Sequence, residues 1–130
     1  MKIKNIDGKE YVWNLGKYIG KKRHDCSALH ESAREWLKEK YPAAQILEEV
    51  HLPGINLYLD FYIPVQHLAI ECQGIQHEKH SVFFHNTKRD FYAARANDRR
   101  KAEWCDLNRI HLVYFYPKET VKEWERKLNH

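Results

Sequence analysis

Between residues 46 and 73 the chain alternates apolar and polar side chains three times, and proline interrupts the alternation twice. Residues 46–52 alternate, Pro53-Gly54 turns the chain, residues 57–63 alternate, Pro64-Val65-Gln66 turns it again, and residues 67–73 make the third run. Successive side chains on a strand point to opposite faces, so this pattern predicts three consecutive strands joined by tight turns. In the second run Leu57, Leu59, Phe61 and Ile63 are expected on one face, with Tyr58, Asp60 and Tyr62 on the other. In the third, Leu68, Ile70 and Cys72 share one face, and Ala69, Glu71 and Gln73 the other.

Helices surround this frame. Over residues 27–41, Leu29, Ala33, Trp36 and Leu37 form one apolar stripe, with Ser27 as N-cap and Pro42 as terminator. His30 and Arg34 lie four apart on the shoulder of that stripe. A long helical region over 87–106 carries Phe91, Ala94, Asp98, Ala102 and Cys105 on one face. A buried strand over 110–116 and a last helix bearing Val121, Trp124 and Leu128 complete the chain. At the front, residues 3–13 read as a hairpin turning at Asp7-Gly8, and residues 16–26 as a loop. The expected order is α-β-β-β-α-β-α behind a hairpin. That is an α/β fold with a mixed central sheet and helices on its faces.

At 130 residues the chain has room for one domain. With 43% hydrophobic and 31% charged residues it is neither collagen-like nor largely disordered. No apolar run approaches the ~20 residues that span a bilayer, and the start lacks the apolar stretch of a secretory signal. Three scattered cysteines, Cys26, Cys72 and Cys105, contain no C-x-x-C pair, which argues against a disulfide framework or a Cys-rich zinc site. A reducing cytoplasm is the expected compartment. His77-x-x-His80 with His85 is a weak zinc signal, and His24, Cys26 and His30 a weaker one. No phosphate-binding loop, dinucleotide fingerprint or G-x-S-x-G elbow is present.

The charge is segregated. Residues 1–30 carry seven Lys/Arg against three acids, residues 31–85 four against eight, and residues 86–101 six against two. Basic stretches flanking an acidic middle are the layout of a protein that holds a phosphate backbone against metal-neutralised carboxylates. Ordinary surface charge is the alternative. Asp60 and Glu71 stand at the centre. If their strands pair through the Pro64 turn, the two carboxylates approach, and a hard cation such as Mg²⁺ or Mn²⁺ relieves their repulsion. The backbone carbonyl of Cys72 is placed for a third ligand. The alternative is that both acids are solvated positions on a half-exposed sheet.

The segment Leu57-Tyr58-Leu59-Asp60-Phe61-Tyr62-Ile63-Pro64, followed by Leu68-Ala69-Ile70-Glu71-Cys72-Gln73-Gly74-Ile75-Gln76-His77, resembles the PD-(D/E)XK nuclease superfamily. The likeness is to its small, often phage-encoded, restriction-endonuclease-like members similar to very-short-patch-repair endonucleases. It continues through Phe83-Phe84-His85, Phe91 and Asp98-Arg99-Arg100-Lys101-Ala102-Glu103-Trp104-Cys105, covering roughly residues 27–116. The resemblance implies a restriction-endonuclease-like α-β-β-β-α-β core, with residues 1–26 and 117–130 as additions. It implies a Mg²⁺-dependent endonuclease acting on DNA, with Asp60, Glu71 and the Cys72 carbonyl holding the cation. The motif lysine falls on Gln73, which can orient a water but brings no charge. Some relatives use a His beyond the Gly, and His77 matches that position.

Auxiliary candidates are Glu49, His30, Arg34 and Asp98. Asp98 either bonds a cation or the active-site His, or begins a new helix after a kink at Asn97. Lys21, Lys22, Arg23, Lys88, Arg89, Arg95, Arg99, Arg100 and Lys101 are the candidates for phosphate contacts. Tyr58, Tyr62, Phe83, Phe84 and Trp104 either stack on bases or fill the core. A structure-directed or nicking activity is expected, acting as a homodimer or within a larger DNA-processing complex. A non-catalytic DNA- or partner-binding module and an RNA-directed nuclease remain the alternatives.

Overall fold

A computed structural model describes residues 1–74 and 88–129, with the backbone alone for 88–94. Strands β1 (Lys2–Lys4) and β2 (Glu10–Val12) form an antiparallel hairpin of their own. Its turn uses Gly8 at φ +83°, and the Asp7 carboxylate accepts from Lys9 N at 2.8 Å. After a 3₁₀ turn at Gly16–Tyr18, helix α1 (Ala28–Lys40) begins where the Ser27 hydroxyl accepts from His30 N at 3.1 Å. Strands β3 (Leu47–His51), β4 (Tyr58–Ile63) and β5 (Leu68–Cys72) follow, the last two joined by a 3₁₀ turn at Pro64–Gln66. Helix α2 (Lys88–Leu107), strand β6 (His111–Phe115) and helix α3 (Val121–Leu128) close the chain.

The main sheet has the order β3-β4-β5-β6. β4 pairs antiparallel with both β3 and β5, and β6 lies parallel to β5. A parallel neighbour needs a crossover, and α2 provides it. The protein is thus mixed α/β, with a mixed four-stranded sheet, three helices and a separate hairpin among the described residues. None of these helices is long and apolar enough to cross a membrane.

The sheet separates two apolar clusters. One contains Leu47, Val50, Leu59, Tyr62 and Ala69 with Trp104 and Cys105 of α2 and Trp13 after the hairpin. The other contains Phe61, Ile63, Leu68 and Ile70 with Ala33 and Leu37 of α1 and Trp124 of α3. The expected single apolar face of β4 therefore does not form. Leu57 and Leu59 serve the first cluster, Phe61 and Ile63 the second, and Tyr62 is core rather than outward-facing. The alternation shifts at Asp60. Opposite it stands Glu49, at φ +50°, and the register steps from Glu48↔Phe61 to Val50↔Leu59 with no pairing between. A left-handed residue inside a strand interrupts the pleat, and the side chains on either side change faces.

Helix α2 follows its expected stripe only in part. Cys105 is buried as expected and Asp98 is half-buried, but Ala102 is exposed and Trp104, outside the stripe, is buried. The large indole of Trp104 decides which face packs, and the small Ala102 cannot outweigh it. The helix runs unbroken through Asn97-Asp98, so no second helix starts there.

Candidate functional site

The backbone ladder between β4 and β5 stops at Phe61↔Ile70. One step further, the two acids take over. The Asp60 N–H donates to Glu71 Oε2 at 2.7 Å, and the Cys72 N–H donates to Asp60 Oδ2 at 2.8 Å. Each carboxylate thus satisfies a backbone donor of the opposite strand where the strands part.

The Cys72 carbonyl faces the same gap. Gln73 N–H donates to Phe115 O on β6 at 2.9 Å. In a trans peptide the carbonyl of the preceding residue points the other way, which here is towards β4.

Glu71 is buried, its side chain only 5% exposed, and Lys101 Nζ of α2 lies 2.5 Å from Glu71 Oε1. Burial raises the Glu71 pKa and the nearby Asp60 charge adds to it; Lys101 opposes both, and the result is about 7. Asp60 is more open and has Arg23 Nη1 3.4 Å from Oδ1.

Beside this pair lies a second buried acid, Glu48 on β3. Its Oε1 takes His30 Nε2 at 2.8 Å, Arg34 Nη2 at 2.7 Å and Arg23 N at 3.1 Å; its Oε2 takes Arg34 Nε at 2.7 Å. Burial alone would raise the Glu48 pKa, but these donors outweigh it and hold it near 2. Arg34 also donates to Arg23 O at 2.9 Å, so one guanidinium ties α1, β3 and the basic loop together. His30 stacks on Phe61, with ring centroids 4.3 Å apart.

Of the expected site residues, Asp60, Glu71 and Cys72 come together, and Gln73 is buried next to them. His30 and Arg34 reach the neighbouring acid, but that acid is Glu48. Glu49, the expected auxiliary, is exposed. The shifted pleat is the cause. The buried basic pair at His30 and Arg34 was the signal that β3 must supply a buried acid.

Lys101, expected among the phosphate contacts, turns inward to Glu71. It lies three and four residues before Trp104 and Cys105, the spacing of one helix face. Arg95, Arg99 and Arg100 lie on exposed parts of α2. Lys21 and Lys22 are exposed and, with Lys38, line a groove that reaches Glu48. Asp98 lies near Tyr114, whose phenol is pushed up to about 12 by burial first and the Asp98 charge second. Tyr62 and Trp104 are fully buried, whereas Tyr58 is 47% exposed. His77, His80, Phe83, Phe84 and His85 lie outside the described residues, as do the side chains of Lys88 and Arg89.

No protein-family model and no solved structure matches the chain. A 60-residue stretch, 46% of the chain, is 33% identical to the uncharacterized protein 307L of Invertebrate iridescent virus 6. That stretch amounts to 30% of the viral protein's length.

Proposed function

We propose that the chain is a divalent-metal-dependent endonuclease that hydrolyses DNA phosphodiester bonds on a restriction-endonuclease-like core, α1-β3-β4-β5-α2-β6. The observation that carries this reading is the gap between β4 and β5, which Asp60 and Glu71 fill and which the Cys72 carbonyl faces. Two carboxylates and a carbonyl are an all-oxygen set, the kind that Mg²⁺ and Mn²⁺ prefer. The elevated Glu71 pKa fits as well, since a buried acid beside a second acid gains from a nearby positive charge.

Asp60, Glu71 and the Cys72 carbonyl would hold the ion. When bound, such an ion supplies a water of lowered pKa and stabilises charge on the phosphate. Lys101 brings to Glu71 the positive charge that Gln73 lacks at the motif position. Its ammonium keeps Glu71 closer to ionised, and it can shift to a phosphate oxygen once another cation replaces it. Gln73 is left to orient a water. Arg99, Arg100, Lys21 and Lys22 face outward and serve the sequence-independent backbone contacts that dominate DNA affinity.

The test is cleavage of supercoiled plasmid with Mg²⁺ or Mn²⁺. Activity that needs the metal and vanishes in both Asp60→Ala and Glu71→Ala supports the reading. Cleavage that survives both substitutions removes the site. One observation favours a second reading, a non-catalytic DNA-binding module. Lys101 and Arg23 already sit on Glu71 and Asp60, so both acids have a cation without any metal. DNA binding without cleavage, with either metal and with nicked, branched and mismatched substrates, would favour that module.

A further inference from the structure

On the α1 side of Asp60 lies a second group of donors, of which the nuclease reading uses only the Asp60 carboxylate. A ring nitrogen of His30, a carboxylate oxygen of Asp60 and Sγ of Cys72 all lie within 4.8 Å of one another. We propose that this group is a binding site for a borderline transition-metal dication of the Zn²⁺ class, sharing Asp60 with the oxygen-donor site.

The donor types select the ion. Imidazole, thiolate and one carboxylate are the mixed N, S, O set that Zn²⁺ takes with tetrahedral geometry and that Mg²⁺ avoids. Tetrahedral zinc–ligand bonds of roughly 2.0–2.3 Å put two donors of one ion about 3.3–3.5 Å apart. From donors within 4.8 Å of one another, binding therefore draws them together by up to about 1.5 Å, through side-chain rotation at Cys72 and Asp60. Water completes the fourth position.

The histidine is already held as a ligand should be. Its Nε2 lies 2.8 Å from Glu48, and its ring is stacked on Phe61. Glu48 accepts from Nε2, so a metal would take the other ring nitrogen. A carboxylate behind a ligating imidazole fixes the tautomer and orientation and strengthens the donor. Arg34 balances the Glu48 charge.

The charges also close. Binding releases the Cys72 proton to solvent, and the ion's two positive charges then meet one thiolate and one carboxylate. Without a metal, burial and then the charges of Asp60 and Glu71 hold the Cys72 thiol in its protonated form. A bound dication reverses that local field. Arg23, which pairs with Asp60 at 3.4 Å, is an exposed arm and can swing clear.

The test is a Co²⁺ titration of the full chain, followed by Zn²⁺ displacement. One equivalent of Co²⁺ should give tetrahedral visible bands and a near-ultraviolet sulfur-to-cobalt band, both abolished by one equivalent of Zn²⁺. The sulfur band should disappear in Cys72→Ser and persist in Cys26→Ser. In His30→Ala and Asp60→Asn the apparent Zn²⁺ affinity should fall at least 10-fold, with circular dichroism checking that each variant is folded. The sulfur band separates this site from the His77, His80 and His85 segment, which has no thiol.

No sulfur band, or one unchanged in Cys72→Ser, overturns the proposal. The spectrum needs no catalysis, so its outcome is independent of the nuclease reading. If that reading also holds, Zn²⁺ should inhibit Mg²⁺-dependent cleavage in the native chain and inhibit at least 10-fold less in Cys72→Ser.

Discussion

Asp60 and Glu71 are clasped across the end of a ladder: Glu71 accepts the backbone N–H of Asp60, and Asp60 accepts the N–H of Cys72, the residue after Glu71. The acids thus do structural work that backbone carbonyls perform elsewhere in the sheet. They are fixed in place without any metal, and the arrangement sets up opposing demands of folding and charge.

Glu71→Gln should reveal those demands. The folded-state pKa of Glu71 is raised from 4.5 to about 7, so the folded state binds the extra proton and stability falls as pH rises through this window. The neutral amide does not suffer that loss. At pH 8 in EDTA, Glu71→Gln should match or exceed the native chain in urea midpoint, while at pH 4 the advantage disappears. On the nuclease reading the same variant loses cleavage. A variant less stable than the native chain by the same margin at both pH values would contradict this account.

Glu48 should behave in the opposite sense. Its folded pKa is depressed from 4.5 to about 2, so its contribution is fully present above pH 4.5 and is lost as pH falls towards 2. The contribution at neutral pH is about 3 kcal/mol. Glu48→Gln leaves Arg34 buried against a neutral partner and should cost about 3–5 kcal/mol in urea unfolding at pH 7. The difference from the native chain should shrink between pH 4.5 and pH 2. A constant difference across that range would remove the ion pair as its cause.

On the nuclease reading, Lys101→Met should lower metal-dependent cleavage by about 10²–10³-fold, the usual effect of removing one charge-stabilising donor. Lys101→Arg should retain more, since the charge survives. If Lys101 only packs, Met should be tolerated as well as Arg, and kcat in the two variants decides.

Arg99 and Arg100 project from α2 while Lys101 turns in. If the chain binds DNA as proposed, replacing both arginines with alanine should weaken binding across sequences and reduce the slope of log affinity against log salt by about 2. An unchanged slope would take these residues off the DNA.

Gly54 is the turn position least able to change. Its φ is +89°, and a Cβ there would overlap the Asn5 amide and lie 2.8 Å from Tyr11 Cε2. The Asn5 amide donates to Gly54 O at 3.1 Å, so the contact holds hairpin to sheet. Gly54→Ala should cost about 2–3 kcal/mol by chemical denaturation. A cost below 0.5 kcal/mol would mean the loop relaxes freely.

The order of elements was legible because its signals are local. Ser27 caps α1, the Pro64 turn joins β4 to β5, and the apolar run before Pro117 forms β6. Asp60, Glu71 and Cys72 could be brought together on register alone. The errors arise where one residue departs from its element's period. The left-handed backbone at Glu49 has no compositional mark, so strict alternation favoured Glu49 over Glu48 and gave β4 one apolar face. In α2 the basic run Arg99-Arg100-Lys101 looks uniformly solvated, although Trp104 and Cys105 place Lys101 on the packed side.

Trp13 lies against Tyr62 and Trp104, with centroids 4.6 and 5.1 Å away, and its indole N–H donates to His51 O at 2.9 Å. The opening hairpin is therefore no ornament on a self-sufficient core. A version trimmed to begin at Ser27 would leave the largest ring of the interior wet and should precipitate, so any transplant of this scaffold has to carry its first strands with it.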